Sequence, residues 1–309
     1  MKIISLFSGA GGLDLGLIQA GNVVIWANDI DQSAVETYRK NIGNHIVCCD
    51  IKDVEMSSVP DNAVVVVGGF PCQGFSQANR FREIGDARNV LYRFFRDIVA
   101  VKQPRYFIAE NVKGILSLDQ GKAIQRIVED FSTVGYLVEY QLVNMADYGV
   151  PQNRQRVIIV GQRKDVADRM RFQFPIPTHG KGRLPPVTIR EALARFPDPD
   201  QENTVLNHIY STYRLAFRDF TGHRPTNPDK PSPTILARGN GGGGVCAIPH
   251  YNGLRRLTIR ESAAIQTFPD DFEFCGGMNS CYRQIGNAVP VLFGKLLGAE
   301  LRRLEGEER

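Results

Sequence analysis

One cysteine and one glycine-rich turn are the first places where this sequence could do chemistry. Cys72 lies in "GGFPCQGFS", residues 68 to 76, directly after the valine run Val64 to Val67. That run is short, apolar and β-branched and is closed by glycine, the pattern of a fully buried strand. Cys72 therefore falls just past a strand end, where ligands bind in open α/β sheets, and Pro71 restricts the backbone that carries it. A small buried cysteine in a tight turn is the alternative at this point. The glycine-rich stretch "FSGAGGLDLG", residues 7 to 16, follows the first apolar run. Such a turn between strand and helix lets backbone N–H groups approach a ligand. Asp29 ends the next apolar run, where a carboxylate can accept from ribose hydroxyls. Asp50, after "HIVCC", could accept from an adenine amino group. These features indicate an adenosine-containing cofactor. The spacing is not that of a dinucleotide fingerprint, yet a nicotinamide enzyme stays open at this point.

The elements that must position these groups alternate along the first 165 residues. Strands are expected at Ile3 to Phe7, Val23 to Ala27, Ala63 to Val67, Tyr106 to Ala109, Val138 to Val143 and Val157 to Val160. Helical spacing fills Gln32 to Asn41, Val90 to Val101 and Lys122 to Val134. That alternation argues for a doubly wound α/β sheet with helices on both faces. From Phe174 the texture changes: ten of the 17 prolines fall between Pro175 and Pro233, and "GNGGGG" follows. Proline at that density cannot continue a regular α/β pattern, so a second, loop-rich domain with short strands is expected. Thr258 can cap a helix with Glu261 three residues on, and a last helix is expected over Val291 to Leu304.

Composition sets outer bounds. The chain has 309 residues, 43% of them hydrophobic and 23% charged, ordinary for a globular protein. The six cysteines include no CxxC pair, so neither a zinc site nor a disulfide scaffold is suggested. No stretch approaches the roughly 18 apolar residues of a membrane span, and the opening "KIISLF" is too short for a secretory signal. A cytoplasmic protein without membrane contact is expected. The net charge is +4, but residues 150 to 260 carry 18 Lys+Arg against 8 Asp+Glu. That basic segment points to a polyanionic partner such as nucleic acid.

Further motifs arrive in a fixed order: "ENV" at 110 to 112, "QNRQR" at 152 to 156, "RRLTIRESAAIQTFP" at 255 to 269 and "QIGNAVP" at 284 to 290. With "FSGAGGLDLG" and "GGFPCQGFS" they strongly resemble the DNA (cytosine-5)-methyltransferase family, over the whole chain except residues 165 to 254. The family often carries an acidic residue before "LFSG", where this chain has Ser5.

The resemblance implies an α/β fold: a doubly wound mixed sheet of the S-adenosylmethionine-dependent methyltransferase type, with a smaller loop-rich DNA-recognition domain. It places the discontinuous catalytic domain at 1–170 and 282–309 and the recognition domain with its hinge at 171–281. It implies S-adenosyl-L-methionine as cofactor and double-stranded DNA as substrate, in a monomer that protects host DNA from a separately acting restriction endonuclease. Carbon 5 of cytosine is a poor nucleophile, so a thiolate must first add to carbon 6, with a proton supplied at N3. Cys72 takes the first part and Glu110 the second, through a carboxyl able to donate a hydrogen bond. An ordinary thiol, with a pKa of about 8.5, is only a few per cent thiolate at neutral pH. Arg156 and the positive field near Arg154 are expected to help it, both alternating along one strand and facing one side. Phe7, Gly9, Gly11, Gly12, Asp29, Asp50, Leu91 and Asn287 would line the cofactor site, with Ile30 and Ile51 on the adenine. A base in a duplex must leave the stack to be reached. Gln73, Ser76, Arg154 and Thr258 are the expected grips on it, and Arg214, Arg218, Arg224 and Arg238 the candidate base readers.

Three other readings are weighed. Some relatives with this motif set methylate transfer RNA. A nicotinamide oxidoreductase would explain only the glycine turn and Asp29. A binding-only relative would have lost its nucleophile, and Cys72 is present.

Overall fold

The computed structural model describes residues 1–70, 91–211, 226–237 and 248–307. Seven strands form one mixed sheet: β1 (Lys2–Leu6), β2 (Val23–Asp29), β3 (Ile46–Cys48), β4 (Val65–Gly68), β5 (Tyr106–Val112), β6 (Tyr136–Asn144) and β7 (Gln155–Arg163). Their spatial order is β3-β2-β1-β4-β5-β7-β6. The first five run parallel. The last two join antiparallel, β7 lying between β5 and β6. Sheet direction reverses its build between β1 and β4, which opens a crevice at the carboxyl ends of those strands.

Nine helices flank the sheet or follow it among the described residues: α1 (Gly12–Gln19), α2 (Gln32–Asn41), α3 (Leu91–Lys102), α4 (Lys122–Thr133), α5 (Lys164–Ala167), α6 (Ile189–Leu193), α7 (Ile259–Ile265), α8 (Met278–Asn287) and α9 (Val291–Glu307). Period-two alternation in the strands splits the core into two layers. Ile3, Val65, Val67 and Ile108 face α1, α2 and α9, packing with Leu17, Val35, Tyr38 and Phe293. Ile4, Leu6, Val66 and Phe107 face α3 and α4, packing with Phe95, Ile98, Ile127 and Phe131.

The closing helix α9 returns to the first domain. A Cβ on Gly16 would lie 2.3 Å from the Val291 carbonyl oxygen and 2.5 Å from the Lys295 amide, so only glycine admits this approach of α1 and α9.

In the proline-rich region the expected short strands are absent from the described residues, which show isolated bridges at His179–Leu184, Pro249–Arg256 and Gln152–Ser232. Proline removes the N–H groups that a ladder needs. A third core instead joins Ile189, Leu193, Ile235, Leu257, Ile265, Phe268 and Ile285 to Ala10 of the glycine turn. The boundary expected at 282 falls inside α8. No described helix is long and apolar enough to cross a membrane.

Candidate active site

Glu110 and Arg156 meet at the carboxyl edge of the sheet. Val112 pairs directly with Arg156 across β5 and β7, and Glu110 lies two residues back on the same face, so the two side chains are diagonal neighbours. Arg156 Nε stands 2.7 Å from Glu110 Oε1, each side chain only 13% exposed.

The chain that leads to Cys72 enters at this point. Asn111 Nδ2 donates to the Phe70 carbonyl oxygen at 3.1 Å, and Phe70 is buried among Tyr92 and Phe95. A Cβ on Gly69 would lie 3.2 Å from Glu110 Oε2. "ENV" thus supplies a carboxylate and, from the next residue, an amide that ties down the segment two residues before the cysteine. Cys72, Gln73 and Ser76 lie outside the described residues, as do Arg214, Arg218, Arg224 and Arg238.

Arg154 departs from expectation. The strand β7 begins at Gln155, so Arg154 precedes the alternation that was to align it with Arg156. It is 1% exposed, its Nη1 donating to the Ile235 carbonyl at 3.1 Å and its Nη2 to that of Gly286 at 3.0 Å. Burial, then Arg156, push its pKa down to about 9, against the pull of Glu110. Gripping a phosphate would require those two carbonyl bonds to break. Gln152 works beside it: its Nε2 donates to Gln266 Oε1 at 2.8 Å and its Oε1 accepts from the Ile235 amide at 2.9 Å. "QNRQR" therefore knits three distant segments to the sheet through Gln152 and Arg154 and offers Arg156 to the site.

Thr258 is fully buried, caps α7 in a reciprocal box with Glu261, and lies 3.0 Å from His208 Nδ1, so in this structure its hydroxyl is engaged within the protein. The box exists because α7 leaves its first amides without helical partners.

Around the glycine turn the expected residues divide. Gly9 has φ +56° and, among the described residues, nothing within 4 Å of a Cβ position, so these leave it open on that side. Gly11 has its Cβ space filled by Ile42 and Tyr38, and Gly12 by Val289 and Ala288, so both serve packing. The Gly12 contact brings "QIGNAVP" back against the turn and leaves Asn287 exposed beside it at the end of α8. Phe7, half-buried, takes a left-handed φ of 54° to start the turn. Asp29 closes it, accepting from the Gly9 amide at 2.7 Å and the Asp31 amide at 2.8 Å. Burial raises its pKa, and those backbone donors oppose the rise. Each carboxylate oxygen keeps a lone pair for a hydroxyl.

Ile30, beside the Asp29 carboxylate, is an apolar side chain 67% exposed. That pairing suits an adenosine, which offers an apolar ring and ribose hydroxyls. Asp50 accepts from the Lys52 amide at 3.1 Å and remains partly exposed. Ile51, by contrast, is 4% exposed in the core with Trp26 and Val59, because the short turn it begins points it inward. Leu91, at the start of α3, packs on that same cluster.

A groove of about 420 Å³ adjoins Arg156, lined also by Lys113, Asn144, Asn153, Gln155 and Thr234. Lys113 donates to Gln155 at 3.0 Å and Thr234 to the Asn153 carbonyl at 2.6 Å. Sequence reasoning missed these residues. The available signal was that Lys113 directly follows "ENV" and that Asn153 and Gln155 alternate with the arginines.

The chain matches the family model for C-5 cytosine-specific DNA methylase over residues 1–303. It is 41% identical over 316 residues to the Type II methyltransferase M.NgoFVII of Neisseria gonorrhoeae, covering 94% of this chain and 83% of that protein. It is 38% identical over 336 residues to the Type II methyltransferase M.MthTI of Methanothermobacter thermautotrophicus, covering 99% and 98%. Among solved structures, a DNA modification methyltransferase encoded within an Escherichia coli prophage has a TM-score of 0.78 at 25% identity, covering 99% of both chains. The Dnmt2 methyltransferase of S. pombe has a TM-score of 0.72 at 18% identity, covering 100% of this chain and 99% of that one, a likeness of fold.

Proposed function

The chain belongs to the family of C-5 cytosine-specific DNA methylases, and from that premise we propose how its residues methylate carbon 5 of cytosine in DNA. The observation that carries the reading is the Glu110–Arg156 pair, 2.7 Å apart at the strand edge from which the Cys72 segment departs. Cys72 adds as a thiolate to carbon 6 of an extruded cytosine, forming a sulfur–carbon bond and pushing electrons toward carbon 5. Glu110 meets N3 with a proton, which absorbs the charge developing on the ring. Arg156 holds the Glu110 carboxyl in place and adds positive potential toward the thiolate. When bound, S-adenosylmethionine supplies the electrophilic methyl group. Asp29 and Ile30 would hold its adenosine beside the turn at Gly9, with Asp50 and Asn287 at the margins. After methyl capture solvent water takes the carbon 5 proton, the carbon 5–carbon 6 double bond re-forms as the sulfur–carbon bond breaks, and the Cys72 thiolate is restored while the N3 proton returns to Glu110.

The polar groove with Lys113 and Thr234 takes the sugar–phosphate flanking the target, and Gln73 and Ser76 grip the extruded nucleotide. Base reading belongs to the proline-rich segment, with Arg214, Arg218, Arg224 and Arg238 as candidates. Residues 171–281 form the recognition and hinge unit, its end running into the first turn of α8. The Type II names of the relatives support a modification enzyme paired with a separately acting cognate endonuclease; a monomer working in the cytoplasm is part of the proposal. Labelled methyl transfer to duplex DNA and to total tRNA, followed by bisulfite sequencing of the DNA, tests this reading. Duplex DNA should be methylated at cytosines within one short sequence; transfer to tRNA alone would overturn it.

A further inference from the structure

Ser5 stands where the family often has an acidic residue, and a carboxylate reaches the same place from another element. Asp14, in the first turn of α1, is 1% exposed. It lies within the apolar layer of Ile3, Leu13, Leu17 and Val35. Its Oδ1 accepts from Ser5 Oγ at 2.7 Å and its Oδ2 from the Tyr38 hydroxyl at 2.9 Å. Ser5 Oγ in turn accepts from Ser8 Oγ at 2.9 Å, a hydroxyl that also lies 3.1 Å from the Ser5 carbonyl oxygen. Ser8 sits at the head of the glycine turn. Its amide donates to the Asn28 carbonyl and its own carbonyl accepts from Gly11, both at 2.9 Å.

A carboxylate only accepts, so both hydroxyls must donate inward and the lone pairs of Ser5 are left facing Ser8. The direction of the whole chain follows from the charge at position 14. An amide there would offer N–H to one hydroxyl and reverse that link.

Burial raises the Asp14 pKa to about 6, opposed by the bonds from Ser5 and Tyr38 and reinforced weakly by Asp29. The remaining titratable neighbour, His45, lies 3.0 Å from the Tyr38 hydroxyl through Nε2. A neutral side chain would brace α1 against β1 and α2 at lower cost to the fold. Charge retained against stability is characteristic of a functional position.

We propose that Asp14 is a positioning residue for cofactor binding: from α1 it supplies the carboxylate that position 5 lacks, and through Ser5 and Ser8 it fixes the turn at Gly9. This deepens the reading given above and rests on it. Isothermal titration with S-adenosylmethionine, paired with the melting temperature of the ligand-free protein, tests it on wild type, Asp14→Asn, Asp14→Ser and the exchange Ser5→Asp/Asp14→Ser. Asp14→Asn should weaken binding about tenfold, the effect of losing one charged hydrogen bond, without lowering the melting temperature. The exchange should bind more tightly than Asp14→Ser. Wild-type affinity in Asp14→Asn, or an exchange that melts normally yet binds no better than Asp14→Ser, would overturn the proposal. Failure of the wild type to bind would overturn the cofactor reading itself, and this inference with it.

Discussion

Replacing Arg156 by alanine would leave the Glu110 carboxylate without its counter-charge at a position 13% exposed. At the observed 2.7 Å separation and an effective dielectric of about 20, the Coulomb attraction is about 6 kcal/mol before desolvation is subtracted. Removing one partner of a buried pair costs about 3–5 kcal/mol, and the residual exposure here places the loss near 3 kcal/mol. Urea unfolding of Arg156→Ala, Glu110→Gln and the double variant would read this directly. The double variant should be little less stable than the worse single, a coupling of about 2 kcal/mol. Single-turnover methyl transfer should show the same non-additivity, because Arg156 acts chiefly through the carboxyl it holds, its field at the thiolate being the smaller part. Additive losses in both stability and rate would refute the claim that these residues work as one unit.

Two further expectations follow from the buried polar groups. Asp14 has a folded-state pKa of about 6 against 3.8 unfolded, so the native state binds the proton more tightly and its stability falls as pH rises through that window. Asp14→Asn removes this dependence and should gain about 3 kcal/mol relative to wild type between pH 3.8 and pH 7, measured by denaturant unfolding at both ends; a constant difference would contradict the assignment. Thr258→Ala should cost about 1–2 kcal/mol through loss of the α7 cap while the folded variant keeps wild-type DNA affinity. Weakened DNA binding at unchanged stability would return Thr258 to the nucleotide.

The strands, α2 and the α7 cap were legible because each depends on local pattern: the Val64 to Val67 run, the helical spacing from Gln32, and Thr258 with Glu261. The antiparallel insertion of β7 between β5 and β6 was not, since an apolar run such as Val157 to Val160 reads the same in either direction. Glu110 and Arg156 could be named from their motifs, but not their diagonal pairing, which depends on strand register. Arg154 looked like a free cation because its partners, the carbonyls of Ile235 and Gly286, lie 81 and 132 residues away and backbone groups leave no mark in sequence. Gly11 and Gly12 resembled ligand-contacting glycines for a similar reason: the side chains and backbone that fill their Cβ space come from α2 and the segment before α9. Asp14 carried a signal that went unused, a lone acid between Leu13 and Leu15 on a buried helix face.

The covalent step is the centre of the account, and duplex DNA carrying 5-fluorocytosine at the methylated position tests it most directly. Fluorine cannot leave as the proton does, so incubation with S-adenosylmethionine should give a denaturation-stable protein–DNA adduct. Peptide mass spectrometry should locate that adduct on Cys72, and Cys72→Ala should form none. A bond mapped to another residue, or undiminished methylation by Cys72→Ala, would contradict it.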